Sequence, residues 1–278
     1  MAEADEITRP TRGDSAMSEP TERIVEVSGG PCRIWEKGEG EPLGVFAGLG
    51  GCPHWTPFLD ELSRTRRVVV PSVPGFPGAG EQHRELDGHL MWITSVLDLM
   101  EAAGLAGADV AAASITAMLV ADAAALAPGL VRRLVLTAPF GLYDNDEPTA
   151  NVFATTPDEA IEMQTSRPEL FADAFEAPED PEASAEFQIR QYRASEAAAR
   201  IFWPFGERGL ASRLHRIRVP VLLLWGEQDR IIPPSYAKRF EAGLAGPVQT
   251  HIIAGAGHQV WIDDSKASAQ VIEKFLAD

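Results

Sequence analysis

The chain has 278 residues, of which 45% are hydrophobic and 23% are charged, and this composition excludes a disordered or fibrous protein. Its formal net charge of −17 would repel a phosphate backbone, so nucleic acid is not expected as a partner. No stretch approaches the roughly 20 apolar residues of a membrane span, and no membrane partner is expected. The two cysteines, Cys32 and Cys52, are too few for a disulfide framework and favour a cytoplasmic location.

Residues 1–22 form an acidic and polar N-terminal segment without the apolar run of a secretory signal. This segment is predicted to be a disordered tail. The folded part of the chain is expected to begin at residue 23.

Eight short runs of β-branched and apolar residues predict eight strands along the rest of the chain. They are IVEV at 24–27, CRIWE at 32–36, LGVFA at 43–47, RVVVP at 67–71, DVAAA at 109–113, LVLTA at 134–138, VPVLLLW at 219–225 and VQTHII at 248–253. The first two runs alternate apolar and polar residues, as a half-exposed antiparallel hairpin does. The later runs are almost continuously apolar, which is typical of parallel strands covered on both faces.

Two helix-length segments between these runs are predicted to pack against the sheet. In the first, over residues 86–103, apolar side chains recur every three or four residues. This apolar seam consists of Leu86, Leu90, Ile93, Leu97 and Met100. The second segment, residues 115–127, is apolar nearly all round, so it is placed under the middle of the sheet. The alternation of strands and helices predicts an α/β fold with an eight-stranded, mostly parallel, doubly wound sheet.

The alternation stops over residues 141–210, which contain no convincing strand pattern. Helical pieces are predicted there around 157–166, 184–200 and 205–214. The segment also carries fifteen Asp or Glu residues against five Arg and no Lys. It is predicted to be a helical cap inserted into a core made of residues 23–140 and 211–278.

Three polar residues each follow a predicted strand and are therefore expected at one edge of the sheet. Ser114 comes after DVAAA and before the buried helix, Asp229 ends VLLLWGEQD, and His258 lies in AGAGHQVW. Ligands of open α/β sheets bind at the carboxyl ends of the strands, where these loops meet. A serine at such a turn often serves only as a helix N-cap. The joint placement of all three residues, in the order Ser, Asp, His along the chain, favours a serine nucleophile, an aspartate that orients the imidazole and a histidine base.

From Ile24 to its C-terminus the chain resembles capped α/β-hydrolase-fold proteins of the epoxide-hydrolase or meta-cleavage-product-hydrolase type. The resemblance rests on FAGLGG after strand three, VVVPSVPGFPGAG after strand four, the AAASITA elbow, WGEQDRIIP and GAGHQVWID. It implies Ser114 as the nucleophile, His258 as general base and then acid, and Asp229 as the carboxylate that orients the imidazole.

Two backbone N–H groups, those of Leu49 and Ile115, are expected to stabilise the oxyanion in a serine hydrolase of this kind. Phe140 at the end of strand six is a candidate lining residue of an apolar substrate pocket, together with Phe202 and Trp203. The same rings are equally suited to the core of the cap. No cofactor is expected, and no metal is expected because no set of residues has zinc-ligand spacing.

The sequence departs from the usual Gly-x-Ser-x-Gly elbow at both flanking positions, which are Ala112 and Thr116. Small residues allow the strained turn that exposes the nucleophile, so the larger side chains are expected to make close packing harder. The departure leaves open a catalytically silent binding protein with the same fold.

The favoured function is hydrolysis of an ester-like bond in an apolar small molecule through an acyl-enzyme on Ser114. A rival within the fold is hydrolysis of a carbon–carbon bond in a β-diketone-like substrate, where His258 first drives a keto tautomerisation. A third reaction keeps only His258 and Asp229 as a base dyad for cofactor-independent oxygenation or elimination. The expected partner is a small-molecule substrate, and a homodimer is one option for the oligomeric state.

Overall fold

An eight-stranded sheet forms the centre of the computed structural model, which describes residues 19–203 and 205–278. The strands are β1 (Thr21–Val27), β2 (Gly30–Lys37), β3 (Pro42–Phe46), β4 (Arg67–Pro71), β5 (Ala108–Ala113), β6 (Val131–Thr137), β7 (Val221–Gly226) and β8 (Val248–Ile253). All eight predicted strands are present. The first strand begins inside the segment predicted as a tail, because Thr21 and Glu22 pair with β2. Residues 1–18 of that predicted tail lie outside the described residues.

The strand order in the sheet is β1-β2-β4-β3-β5-β6-β7-β8. The pairs β1–β2 and β2–β4 are antiparallel, and all other neighbours are parallel. The predicted α/β fold with a mostly parallel sheet is therefore confirmed. The carboxyl ends of the six parallel strands, β3 to β8, share one edge, and the loops with the candidate site residues leave the sheet there.

Helices cover both faces of the sheet. The helices among the described residues, including those of the inserted segment 141–210, are α1 (Pro57–Ser63), α2 (His89–Ala102), α3 (Ser114–Leu126), α4 (Pro157–Gln164), α5 (Pro168–Ala174), α6 (Pro181–Phe202), α7 (Tyr236–Gly243), α8 (Val260–Asp263) and α9 (Ser265–Ala277). Along β5, Val110 and Ala112 join the hydrophobic cluster of α2 and α3, whereas Ala111 and Ala113 join that of α1 and α9. Burial on both faces explains why the central strands are apolar throughout.

The predicted apolar seam of the first helix is rotated in the structure. The buried side chains of α2 are Trp92, Ile93, Ser95, Val96, Leu99 and Met100. Leu90 precedes Trp92 by two residues, or about 200° around the helix, so it points away from this face and is 63% exposed. Its place in the seam was predicted wrongly. The second predicted helix is α3, whose residues 114–125 are all buried.

Residues 141–210, here called the cap, contain α4, α5 and α6 and no strand among their described residues. Helix α5 was not predicted, although it begins at a proline, which is well suited to a first helical turn. The helix predicted over 205–214 is wrong. Gly206 and Gly209 adopt φ values of +131° and +84°, so the backbone turns instead of continuing as a helix. No helix among the described residues is both long enough and apolar enough to cross a bilayer.

A buried ionic cluster fastens the segment after the cap to the core. Asp122 on α3 has no exposed surface, and its Oδ2 lies 2.7 Å from Nε2 of His89 on α2. Its Oδ1 accepts a hydrogen bond of 2.6 Å from Nε of Arg213, which follows the cap. A carboxylate this deeply buried is stabilised only by such partners. The cluster therefore fixes the point at which the chain returns from the cap to the core.

Replacing Asp122 with Asn should lower the free energy of unfolding by about 3 kcal/mol, because a neutral amide cannot balance the charge of Arg213. Urea denaturation followed by circular dichroism measures the change. Asp173→Asn, at an exposed position of α5, is the matched control and should shift the free energy by less than about 0.5 kcal/mol. Equally small shifts in both variants would show that the cluster adds no stability.

Candidate active site

Ser114 occupies the turn between β5 and α3 with a backbone φ of +57°. Residues other than glycine rarely adopt this left-handed conformation, which costs about 1–2 kcal/mol. The preceding Ala113 is still extended, with φ −121° and ψ 146°, so the chain changes direction within one residue. This reversal sets the Ser114 side chain at the carboxyl end of the strand. The sequence Ala-Ala-Ser-Ile-Thr thus forms a strained strand-to-helix elbow without its usual glycines.

A glycine lets the loop after β3 approach this elbow. A Cβ added to Gly48 would lie 2.8 Å from the Cβ of Ser114, which is closer than such atoms pack. Gly51 donates its N–H to the carbonyl of Gly48 at 3.0 Å, which closes a tight turn around Leu49. Leu49 in this turn and Ile115 in the first turn of α3 therefore belong to two segments that meet at Ser114.

His258 and Asp229 complete a continuous set of hydrogen bonds with Ser114. Nε2 of His258 lies 2.8 Å from Oγ of Ser114, and Nδ1 lies 2.9 Å from Oδ2 of Asp229. All three residues are buried, with at most 7% of their surface exposed. Oδ1 of Asp229 accepts hydrogen bonds from the N–H groups of Ile231 and Ile232 at 2.8 and 2.9 Å. The carboxylate is thereby fixed with its other oxygen directed at the imidazole.

A second buried carboxylate, that of Asp263, joins the His258 loop to the cap. Its Oδ2 accepts hydrogen bonds from the N–H of Gly257 at 2.6 Å and from the N–H of Ser166 at 2.9 Å. Its Oδ1 accepts a hydrogen bond from the hydroxyl of Thr165. The residue before His258 and the link between α4 and α5 are therefore held by one carboxylate.

Thr116, at the second glycine position of the elbow, bonds to the ends of two strands. It is fully buried, and its hydroxyl lies 2.8 Å from the carbonyl of Ala113 and 3.0 Å from the carbonyl of Phe46. Phe46 ends β3 and Ala113 ends β5, so the hydroxyl connects the two strands that carry the Gly48 loop and the elbow. Ala112 is also fully buried in the core. The threonine hydroxyl is therefore hydrogen-bonded inside the elbow, and the expected effect of the two larger side chains on packing stays a prediction.

A cavity of about 320 Å³, here called the cap cavity, lies between the loop after β3 and the cap. Leu49 and Gly50 line it on the core side. The cap supplies Val152, Phe153, Ala160, Gln164, Phe171, Phe175, Phe187, Gln188, Gln191, Ser195 and Ala198. None of these described residues carries a charge, although the cap as a whole is strongly acidic. The cavity is therefore suited to an uncharged, largely apolar ligand.

The three aromatic residues predicted to line a pocket lie in different places. The buried ring of Phe140 lies 5.9 Å from the ring of His258 and 4.3 Å from that of Phe202, measured between centroids. Phe202 in turn contacts Phe153 at 6.0 Å, so it packs behind a residue of the cap cavity. Trp203 is 69% exposed and does not line the cap cavity, so its assignment to a substrate pocket stays a prediction. It follows the last residue of α6, where the side chain has left the buried face of that helix.

Both cysteines are free thiols. Burial raises the pKa of Cys32 to about 12 and that of Cys52 also to about 12. Because the thiolate is the reactive form, neither thiol is prepared to act as a nucleophile. Cys52, which is close in sequence to the Gly48 turn, donates its S–H to the carbonyl of His54 at 3.0 Å.

Residues 45–273 match the profile of the alpha/beta hydrolase family, and the chain belongs to this family. It is accordingly an enzyme of the hydrolase class. Within the family it is similar to meta-cleavage product hydrolases, as its sequence motifs indicated.

Two relatives and one solved structure illustrate this similarity. The chain is 27% identical to 2-hydroxy-6-oxo-2,4-heptadienoate hydrolase of Pseudomonas putida, over 92% of this chain and 96% of the relative. It is also 27% identical to a 2-hydroxymuconate semialdehyde hydrolase of Pseudomonas putida, over 92% and 94%. The meta-cleavage product hydrolase of Pseudomonas fluorescens IP01 has the same fold, with a TM-score of 0.73 and 16% identity over 92% of this chain and 97% of that one.

The contacts that connect the cap to the site were not predicted. Asp263 was considered only as a carboxylate for the imidazole, less well placed than Asp229, and its bonds to the cap have no distinguishing sequence pattern. The cavity face of α6 did leave a signal. Phe187, Gln191 and Ala198 are spaced by four and seven residues, which marks one helix face. The polar side chains of Gln188, Gln191 and Ser195 share this face with apolar ones, and that mixture is a signal that could have indicated a ligand-binding wall.

Replacing Thr116 with Val should lower the free energy of unfolding by about 1–2 kcal/mol, because the carbonyls of Phe46 and Ala113 lose a buried donor while the side-chain shape is kept. Thr137→Val is a matched control, since Thr137 on β6 is equally buried but its hydroxyl has no partner. That variant should be neutral or slightly more stable. Chemical denaturation of both variants gives the comparison, and equal effects would show that the Thr116 hydroxyl contributes nothing.

Proposed function

We propose that this enzyme is a serine hydrolase that cleaves an ester-like bond in an apolar small molecule. The observation that carries the proposal is the buried set of hydrogen bonds from Ser114 through His258 to Asp229. A serine hydroxyl is a poor nucleophile until a neighbouring imidazole accepts its proton. A carboxylate at the other ring nitrogen fixes the required tautomer and stabilises the imidazolium that forms.

In the first half of the proposed reaction, Nε2 of His258 accepts the proton of Ser114 as Oγ forms a bond to the ester carbonyl carbon. His258 then gives this proton to the leaving alkoxide, and the bond between the acyl carbon and the alcohol oxygen breaks. In the second half, His258 takes a proton from water, whose oxygen attacks the acyl carbon. His258 then gives that proton to the Ser114 oxygen as the bond between Oγ and the acyl carbon breaks, and the carboxylic acid is released. Asp229 stays ionised throughout, and no cofactor takes part.

We assign the oxyanion hole to the backbone N–H groups of Leu49 and Ile115. Ile115 lies in the first turn of α3, where N–H groups have no acceptor within the helix and the helix dipole favours negative charge. Leu49 is brought to the same place by the close contact between Gly48 and Ser114. Loss of one such donor typically slows a reaction of this type by about 10²–10³-fold.

We assign the acyl part of the substrate to the cap cavity. Leu49 lines the cavity, so an acyl group on Ser114 that passes this residue enters it directly. The uncharged lining supports an apolar substrate, and the phenylalanine rings at Phe171, Phe175 and Phe187 are part of its apolar surface. A cytoplasmic location belongs to the same proposal and is supported by the two free thiols.

Ser114→Ala should lower kcat for p-nitrophenyl butyrate by at least about 10³-fold, because the acyl-enzyme can no longer form. A fluorophosphonate should label the wild type covalently and leave the variant unlabelled, which intact-protein mass spectrometry detects. Ser212→Ala, at an exposed serine that does not line the cap cavity, is the matched control and should keep both properties. Folded wild-type protein that takes up no label and hydrolyses no ester would rule out a serine nucleophile and favour a silent binding protein.

Hydrolysis of a carbon–carbon bond is the second candidate, and the names of the similar Pseudomonas hydrolases favour it. In that reaction His258 would first transfer a proton to convert an enol into its keto form. Addition of water across the bond next to the ketone would then release two carbon-chain fragments. The same three side chains would serve both reactions, so only the products separate them.

Purified enzyme should release alcohol and acid from aryl esters with a kcat/KM at least about tenfold above that for any 2-hydroxy-6-oxo-dienoate, since the cap cavity offers no cation for the carboxylate. Liquid chromatography with mass spectrometry identifies the products of both substrates. Ser114→Ala serves as the blank for each reaction. Efficient release of two carbon-chain fragments from the dienoate, with slow ester hydrolysis, would assign the enzyme to carbon–carbon hydrolysis instead.

A further inference from the structure

Gln191 carries an unused hydrogen-bond donor on the cavity face of α6. Its Nε2 is buried and has no hydrogen-bond partner. Its Oε1 lies 3.9 Å from the position that a Cβ on Gly50 would occupy. The amide therefore lies near the part of the cap cavity that Gly50 lines. Gly50 belongs to the loop after β3, the same loop that contacts Ser114 through Gly48.

A buried donor of this kind is unusual, since about nine-tenths or more of buried polar groups in folded proteins are paired. The nearby amide of Gln164 follows that rule, because its Nε2 donates to the carbonyl of Ala160 at 3.2 Å and its Oε1 lies 3.3 Å from Nε2 of Gln259. Gln188, one turn before Gln191, is exposed and is free to bond to water. The Gln191 donor is the exception on this wall, and a ligand with an acceptor atom would satisfy it.

Gln191 also borders a second cavity, of about 330 Å³, that contains Arg33 and Arg190. Gly50 lines the cap cavity but not this second one. The short distance from the Gln191 oxygen to Gly50 therefore assigns its amide to the cap cavity.

We propose that Nε2 of Gln191 donates a hydrogen bond to an uncharged acceptor oxygen, a ketone or an ether, in the acyl group of the substrate. This inference rests on the proposed role of Ser114 as the nucleophile. A carboxylate at the same place would lack a counter-charge, because no described residue of the cavity lining is cationic. Gln191 is thus a specificity-determining residue for neutral, oxygen-bearing acyl groups, in contrast to the dienoate named for the Pseudomonas putida relative.

The position of the acceptor follows from the loop between Ser114 and Gln191. Gly48, in contact with Ser114, and Gly50, facing Gln191, are two residues apart, which spans at most about 7 Å. An acyl chain that follows this loop would meet the amide several bonds beyond its ester carbonyl. We therefore expect the preferred oxygen at an intermediate position of a medium-length chain.

The test compares p-nitrophenyl oxoalkanoates, with the ketone moved stepwise along the acyl chain, against p-nitrophenyl alkanoates of equal length. Wild-type enzyme should show about tenfold higher kcat/KM for at least one ketone position than for the matched alkanoate. Gln191→Leu, or Gln191→Met if the leucine variant does not fold, should reduce this preference to less than about twofold. Gln270→Leu, at an exposed amide on α9 that lines neither cavity, should retain the preference.

A wild-type enzyme without preference at any ketone position, or a preference that survives in Gln191→Leu, would overturn the inference while leaving ester hydrolysis intact. Failure of the proposed function has a different signature, namely that the wild type hydrolyses neither series. Calorimetric titration of Ser114→Ala with the same esters then decides the inference without turnover. The oxo ester should bind about tenfold more tightly than its alkanoate, and the double variant with Gln191→Leu should bind both alike. Equal Kd values in Ser114→Ala would overturn it.

Discussion

The left-handed backbone of Ser114 is the constraint on which the rest of the site depends. It is strained, and it persists because the elements on both sides of it cannot move. Strand β5 is paired on both edges, α3 is buried along nearly its whole length, and the N–H of Phe140 donates to the carbonyl of Ser114 at 3.2 Å. Gly48 leaves just enough room for the neighbouring loop. A strain of about 1–2 kcal/mol is small beside the apolar burial of a whole helix, so packing maintains the turn.

The cap does more than cover the site, because it also helps to position His258. Asp263 bonds to the residue before the histidine and to the link between α4 and α5. The residue after the histidine, Gln259, donates its N–H to the carbonyl of Gln164 at the end of α4, at 2.7 Å. A displacement of this part of the cap would therefore move the loop that holds the base. The wall of the substrate cavity and the geometry of the imidazole are mechanically connected.

The charged side chains of α6 in the cap lie away from the cap cavity, whereas its cavity face is uncharged. Glu196 on α6 lies away from the cavity, where its hydrogen bonds from Arg84 hold the pKa of its carboxyl down to about 2, despite a smaller opposing effect of burial. Arg193, on the same helix, is paired with Glu81. The cavity face of α6 carries two amides, a phenylalanine, a serine and an alanine instead. The strong acidity of the cap is thus a property of its surface, and it gives no information about the ligand.

The sequence by itself determined the sheet, the two helices beneath its centre, and Ser114, Asp229 and His258, because hydrophobic periodicity and strand-end positions depend on local order along the chain. It misplaced Leu90 and predicted a helix over 205–214, where two glycines turn the backbone. Only the tertiary structure decided that the Thr116 hydroxyl is bonded within the elbow, that Asp263 joins the histidine loop to the cap, and that Gln191, which lines the cavity, has a buried donor without a partner. Each of these depends on atoms from distant segments meeting within about 3–4 Å, and such distances are set by packing in three dimensions.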